Sequence, residues 1–106
     1  MKLLEEYSNF HKKVENTPHH LTHFSRSFNR SLHAAIGMSG EASEVLDLIK
    51  KTLYGKQVPL TRDTLLSELG DIYWYFHLMM DANGLTLNEV LAFNIAKLSK
   101  RYEEKL

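Results

Sequence analysis

The chain has 106 residues, no cysteine, and 13 basic against 13 acidic side chains, which gives a formal net charge of zero. This length fits one domain, and we expect residues 1–106 to form it. The lack of cysteine excludes a disulfide scaffold, thiolate metal sites and cysteine catalysis. Zero net charge argues against binding a nucleic-acid polymer through a broad basic surface.

Targeting and membrane signals are not recognisable in the sequence. The N-terminal segment turns acidic too early for a signal peptide. The longest apolar run, residues 72–80, contains His77 and is too short to span a bilayer. We therefore expect a cytoplasmic protein with no membrane partner.

Helical periodicity in four segments, with few strand signals, predicts an all-α domain. The first helix is expected over residues 2–15, where apolar side chains recur at three- and four-residue steps: Leu3, Leu4, Tyr7, Phe10 and Val14. Pro18 ends it. Residues 17–27 are expected to form a loop, and the spacing of their histidines allows either a transition-metal site or, more in keeping with the polar context, an exposed loop: His19, His20 and His23.

The remaining three helices have clear start and stop signals. The second is expected from about residue 28 or 30 to 54, with Gly55 as its cap. The third follows Thr61 as N-cap and runs to about residue 82. Thr86 and Glu89 form a capping box that opens the fourth, which runs to about residue 104. Short connections predict that helices two, three and four pack as antiparallel neighbours.

Two acidic pairs recur at the same spacing on the second and third helices. Glu41 and Glu44 form one pair, and Glu68 and Asp71 form the other. An i,i+3 spacing places both members of a pair on one helical face. If the helices are antiparallel, four carboxylates converge, and their repulsion requires a cation. An all-oxygen set favours Mg²⁺, with Mn²⁺ as the alternative.

Basic and amide side chains form a second group of candidate ligand-binding residues. Asn94, Lys97 and Arg101 share one face of the fourth helix, and Lys50 and Lys51 end the second helix. Each group alone is common on a solvated surface. Together with a divalent cation, they would suit a polyphosphate ligand.

At these residues the sequence resembles the MazG-like all-α nucleoside triphosphate pyrophosphohydrolases. Three motifs carry the resemblance, in order over residues 28–103: Gly40-Glu41-x-x-Glu44-Val45-x-Asp47-Leu48-Ile49-Lys50-Lys51, Glu68-Leu69-Gly70-Asp71-Ile72-x-Trp74-Tyr75, and Asn94-Ile95-Ala96-Lys97-Leu98-x-x-Arg101-Tyr102. The resemblance implies a four-helix bundle completed by oligomerisation as a homodimer or homotetramer. It also implies magnesium-dependent hydrolysis of a nucleoside triphosphate between the α- and β-phosphates, for nucleotide-pool control or house-cleaning.

The resemblance also implies roles for single residues. Its magnesium ligands are Glu41, Glu44, Glu68 and Asp71, one of which would also orient or deprotonate the attacking water. Tyr75 would line the base or sugar pocket. The phosphates or sugar would be contacted by Asn94, Lys97 and Arg101. Lys50 and Lys51 are expected to bind the substrate on the ground of their charge alone.

One position departs from the common pattern, because Gly40 stands where many family members have a second adjacent glutamate. The number of metal ions is therefore left open. Two alternatives remain beside this interpretation. A di-iron carboxylate bundle is disfavoured because its Glu-x-x-His pairs are missing. A non-enzymatic helical adaptor, with the acids merely solvating a surface, is the alternative function.

Overall fold

The computed structural model describes residues 2–55 and 59–105, with side chains up to residue 103, and these residues contain four α-helices. They are α1 (Lys2–Val14), α2 (Arg26–Leu53), α3 (Arg62–Ala82) and α4 (Leu87–Lys105). The predicted all-α class with four helices is confirmed. Among the described residues, no helix has the length and apolar character needed to cross a bilayer.

Helices α2 and α3 form the main packing unit, and they run antiparallel as predicted. Contacts that ascend along α2 descend along α3: Asn83 bonds to Ser31, Tyr75 lies against Gly37, and Glu68 meets the acids of α2. The ring of Tyr75 packs directly onto the backbone of α2 at Gly37, where a Cβ would overlap that ring. A Cβ on Gly40, by contrast, would meet nothing within 4 Å.

Helix α1 docks on α3 through an aromatic and histidine cluster. His11 is fully buried, its Nε2 lies 3.1 Å from the carbonyl oxygen of Trp74, and its ring is 4.6 Å from that of His77. Tyr7 packs edge-on against both Tyr73 and Trp74. The apolar stripe predicted for α1 is therefore buried only in part. Its members Leu3, Phe10 and Val14 are exposed.

A charge network ties the α1–α2 connection to the end of α3. Arg30 donates to Glu15 at 2.9 Å and to Asp81 at 2.5 Å, and the three side chains are at most 29% exposed. The backbone N–H of Thr17 donates to Glu15 at 2.7 Å. Burial of charges this close to the core is stable only because each is paired.

Helix α2 begins earlier than the sequence indicates. Ser25 is its N-cap and accepts from the backbone N–H of Phe28. The loop before it is held by Asn29, a buried side chain that donates to the carbonyl oxygens of His19 and Thr22. Local capping by a serine that lacks a following acid explains why periodicity alone placed the start later.

Hydrogen bonds stabilise the turn between α3 and α4 both at the end of α3 and at the start of α4. Gly84 has a φ of +66°, and the N–H of Leu85 donates to the Met80 carbonyl at 2.9 Å, which together form a Schellman ending. The predicted Thr86–Glu89 capping box is present, with both backbone-to-side-chain bonds at 3.2 Å. These bonds fix the direction in which α4 leaves α3.

Helix α4 does not pack against α2 as the short connections predict. Within the described chain, the extensive helix–helix packing is between α2 and α3, with a smaller contact between α1 and α3. Phe93 is 74% and Ile95 66% exposed. The radius of gyration is 16.9 Å, against about 13 Å for a compact chain of this length. The bonded turn, rather than loop length, sets where α4 points.

Candidate active site

Three of the four predicted carboxylates converge between α2 and α3. One oxygen from each of Glu41, Glu44 and Glu68 lies within 4.8 Å of the other two. Antiparallel packing brings these residues together from opposite directions of the chain, and the i,i+3 spacing keeps Glu41 and Glu44 on the same side of α2. The described residues contain no other group of acids and histidines clustered in this way.

Asp71 stands beside this trio and is exposed. It is close enough to raise the pKa of both Glu41 and Glu68 through charge repulsion. The structure thus brings together three of the four predicted carboxylates and leaves Asp71 beside them. Their roles as metal ligands and catalytic groups stay predictions.

Burial and mutual repulsion make this cluster electrostatically strained. Burial, the hydrogen bond with Glu44 and repulsion from the nearby acids raise the pKa of Glu41 to about 7. Burial, followed by repulsion from Glu44, also raises the pKa of Glu68. The Oε2 atoms of Glu41 and Glu68 are inaccessible to solvent and have no hydrogen-bond partner. Buried polar atoms without a partner are rare, and they call for an explanation such as a bound ion.

The predicted cationic residues are not brought to the acids within one chain. Asn94, Lys97 and Arg101 are exposed on α4, and none has an ion pair among the described side chains. Lys51 pairs with Asp47 on its own helix at 2.9 Å, and Lys50 is exposed.

Tyr75 has a packing role that the sequence did not reveal. Its ring covers Gly37 and meets the ring of His33 edge-on at 5.7 Å. His33 in turn is hydrogen-bonded to Thr17 at 2.9 Å. Tyr75 therefore connects the α2–α3 crossing to the α1–α2 loop, and its contact with a base or sugar stays a prediction.

The histidines of the loop are exposed and belong to no cluster of potential metal ligands in the described part of the chain: His19, His20 and His23. The residues that sequence reasoning missed are His11 and the Glu15–Arg30–Asp81 network. Arg30 lies on the same helical face as Ala34, which is buried, but the burial of Ala34 cannot be read from the sequence.

Comparison with known proteins matches the architecture around these acids. The family model of the MazG nucleotide pyrophosphohydrolase domain matches residues 30–105. The chain belongs to this family. The match contains α3, α4 and nearly all of α2, and helix α1 lies outside it.

A relative of this MazG-family chain is the Gene 37 protein of Mycobacterium phage L5. The two are 35% identical over 72 residues, which cover 65% of this chain and 63% of the relative. The chain thus spans less than two thirds of that relative's length. No solved structure matched the chain.

Proposed function

We propose that this protein hydrolyses a nucleoside or deoxynucleoside triphosphate to the monophosphate and pyrophosphate, with Mg²⁺ as cofactor. The observation that carries the proposal is the convergence of Glu41, Glu44 and Glu68 from two helices, with two buried carboxylate oxygens left without partners. Membership of the MazG family supplies the reaction class.

The donor set fits a hard divalent cation. All three converging side chains offer oxygen, and oxygens on opposite sides of one Mg²⁺ lie about 4 Å apart, close to the 4.8 Å limit found here. Glu41, Glu44 and Glu68 would hold the ion, with Asp71 as a further ligand after a small movement. Mn²⁺ would fit the same oxygens. When bound, the ion would neutralise the carboxylates and draw charge from the phosphate oxygens.

The remaining chemistry belongs to the side chains. A water oxygen bonds to the α-phosphorus, the bond from that phosphorus to the α–β bridging oxygen breaks, and pyrophosphate leaves. A carboxylate of the acidic group accepts the proton of the water. We assign phosphate and sugar contacts to the exposed cationic and amide groups, and a base or sugar contact to the tyrosine: Lys50, Lys51, Asn94, Lys97, Arg101 and Tyr75.

Assembly into a homodimer or homotetramer is part of the proposal. Within the described chain, only three apolar residues are buried in the core: Ala34, Leu78 and Met80. Large apolar side chains on α2 and α4 remain exposed, and exposed apolar surface of this extent is typical of a protein–protein interface. We propose residues 1–106 as one domain that acts in the cytoplasm, where its nucleotide substrates occur.

The decisive experiment is a hydrolysis assay over the canonical ribo- and deoxyribonucleoside triphosphates and damaged nucleotides, with and without Mg²⁺. Monophosphate and pyrophosphate are the expected products. Diphosphate and phosphate would contradict the proposed bond cleavage. No turnover of any triphosphate would favour the alternative function of a non-enzymatic helical adaptor. The observation that supports this alternative is the exposed apolar face of α4.

Substitutions test the acids directly. We expect Glu41→Gln and Asp71→Asn to lower turnover, the former at least about 100-fold, since loss of a mere outer-shell metal partner already costs 10–100-fold. Both variants should keep their helical circular dichroism. Glu6→Gln removes an exposed carboxylate of α1 and serves as the matched control, with turnover unchanged. Equal loss in the control would point to a general charge effect.

A further inference from the structure

His11 lies at the centre of the contact between α1 and α3, and its side chain is fully buried. Its Nε2 lies 3.1 Å from the carbonyl oxygen of Trp74. Because a carbonyl oxygen can only accept, Nε2 carries the proton of the neutral ring and Nδ1 keeps a lone pair. This Nδ1 is inaccessible to solvent and has no hydrogen-bond partner. The contact therefore fits one neutral tautomer of His11 and offers no acceptor for a second proton.

The closest titratable neighbour of His11 makes a second proton still less favourable. The ring of His77 lies 4.6 Å from that of His11, and its own Nδ1 is also buried without a partner. Two imidazolium rings at this distance would repel each other. The rings of Tyr7 and Trp74 pack against His11 as well. Protonation thus places a charge inside an aromatic contact that has no group to receive it.

Burial holds the pKa of both imidazoles below the usual 6.5, although charged groups surround them. Glu15 and Asp81 attract a proton to His11, whereas Arg30 opposes it. Both carboxylates are already bonded to Arg30. The titratable groups that face the histidine pair come from α1 and its end, from α2 and from α3: Glu5, Tyr7, Lys12, Glu15, Arg30, Tyr73 and Asp81. The docked state of α1 therefore binds fewer protons than a released α1 would.

Helix α1 is attached to the domain by a small contact. Its packing against α3 is much less extensive than the packing of α2 against α3. The helix has 13 residues, and an isolated helix of this length is marginal in water. Segments with few buried contacts open locally at a lower cost in free energy than the whole domain does. Helix α1 can thus leave α3 while α2 and α3 stay packed.

The C-terminal end of α1 has a separate anchor. Glu15 directly follows the helix, accepts from Arg30 at 2.9 Å and accepts from the backbone N–H of Thr17 at 2.7 Å. Although burial opposes its ionisation, these bonds hold the pKa of Glu15 below its usual value. The carboxylate therefore stays charged and bonded at a pH at which His11 takes up a proton.

We propose that α1 is a pH-sensitive strap, in which protonation of His11 releases residues 2–14 from α3 as the pH falls below about 6.5, while Glu15 keeps the strap attached to α2. A released His11 binds its proton near the ordinary value, and the docked one binds it only at lower pH. Between these values, the docking equilibrium falls by up to about tenfold per pH unit.

Release changes the surface of α3. It uncovers the rings of Trp74 and His77, and it opens a cleft of about 360 Å³ that Leu4 and Ser8 of α1 help to line. The strap depends on the histidine contact alone, so it stands or falls independently of the proposed hydrolysis.

Hydrogen–deuterium exchange of the full chain, measured by mass spectrometry, tests the release. Exchange times are scaled for the slower chemical exchange at lower pH. We expect the protection of residues 2–14 to fall about tenfold between about pH 7.5 and 5.5, with a smaller change in α2 and α3. Equal protection of α1 at both pH values would overturn the proposal. An equal loss in all four helices would do so too, because it would mean unfolding of the whole domain.

His11→Gln tests the trigger. The side-chain nitrogen of Gln can donate to the Trp74 carbonyl in place of Nε2, and it does not titrate. We expect α1 of this variant to be equally protected at both pH values. His20→Gln is the matched control, since it removes an exposed loop histidine and should keep the wild-type loss. Persistence of the loss in His11→Gln, or its disappearance in His20→Gln, would contradict the role of His11.

NMR of the histidine rings in the wild type adds a measurement that needs no substitution. The titration midpoint of His11 should coincide with the pH at which α1 loses its protection. Titration of His11 in a chain whose α1 remains protected would overturn the strap, because the docked contact would then accommodate the charge.

Discussion

The two ends of the α2–α3 pair treat charge in opposite ways. At one end, Arg30 pairs with both Glu15 and Asp81, and the helices bury an aromatic and histidine cluster. At the other end, Glu41 and Glu68 repel each other, and each keeps a buried oxygen without a partner. The ion pairs of the first end stabilise the fold, whereas the second end carries the acids that we propose as metal ligands.

The largest expected effect tests the paired end. Arg30→Met leaves Glu15 and Asp81 close together without their cation, and we expect a loss of about 3 kcal/mol in the free energy of unfolding. Urea denaturation measures it. Lys51→Met is the control, because the Lys51–Asp47 pair is exposed on one helix and such pairs contribute little. A loss in Lys51→Met as large as that in Arg30→Met would contradict the contrast.

The next largest effect is expected at Gly37, which lies between the two ends of the α2–α3 pair. Gly37→Ala places a methyl group against the ring of Tyr75, so overpacking of about 1–3 kcal/mol should outweigh the helix-forming gain of about 1 kcal/mol. Thermal denaturation should give a lower melting temperature. Gly70→Ala meets nothing within 4 Å, and we expect it to raise the melting temperature slightly. A rise in both variants would show that α2 and α3 can separate there without cost.

The smallest effect near neutral pH concerns the histidines of the paired end. Burial lowers the pKa of His11 and of His77 below the usual 6.5. The unfolded chain therefore binds protons first, so stability from these groups is present above about pH 6.5 and is lost as the pH falls below it. Glu41 acts in the opposite direction, because its pKa is raised to about 7 and its contribution to stability is lost as the pH rises toward that value. The histidine contribution is therefore measured by comparison with His77→Phe between about pH 5 and 8. We expect the denaturation midpoint of this variant to increase relative to that of the wild type as the pH falls, and a constant difference between the two proteins would contradict it.

The sequence predicted the helices well because their boundaries depend on local chemistry. Thr61 and Thr86 cap α3 and α4, and Gly55 and Gly84 have positive φ at the ends of α2 and α3. The convergence of acidic side chains from α2 and α3 was also predictable, because a repeated i,i+3 spacing on two antiparallel helices leaves few other arrangements.

The features that the sequence did not predict depend on tertiary packing. Nothing in the local pattern of α1 says that His11 is buried while Phe10 is exposed. The packing of α4 was also missed, because a short connection does not determine the direction that a bonded turn imposes. Asp71 lies outside the converging trio, a matter of side-chain position that spacing alone does not fix.

The single tryptophan of the chain gives the paired end an optical signature of its own. Trp74 lies 4.2 Å from the ring of His11 and 6.0 Å from the rings of Tyr7 and Phe10. All three neighbours belong to α1, so intrinsic fluorescence records whether α1 is seated on α3. A shift of the tryptophan emission maximum when α1 undocks would thus report on the segment that lies outside the family match.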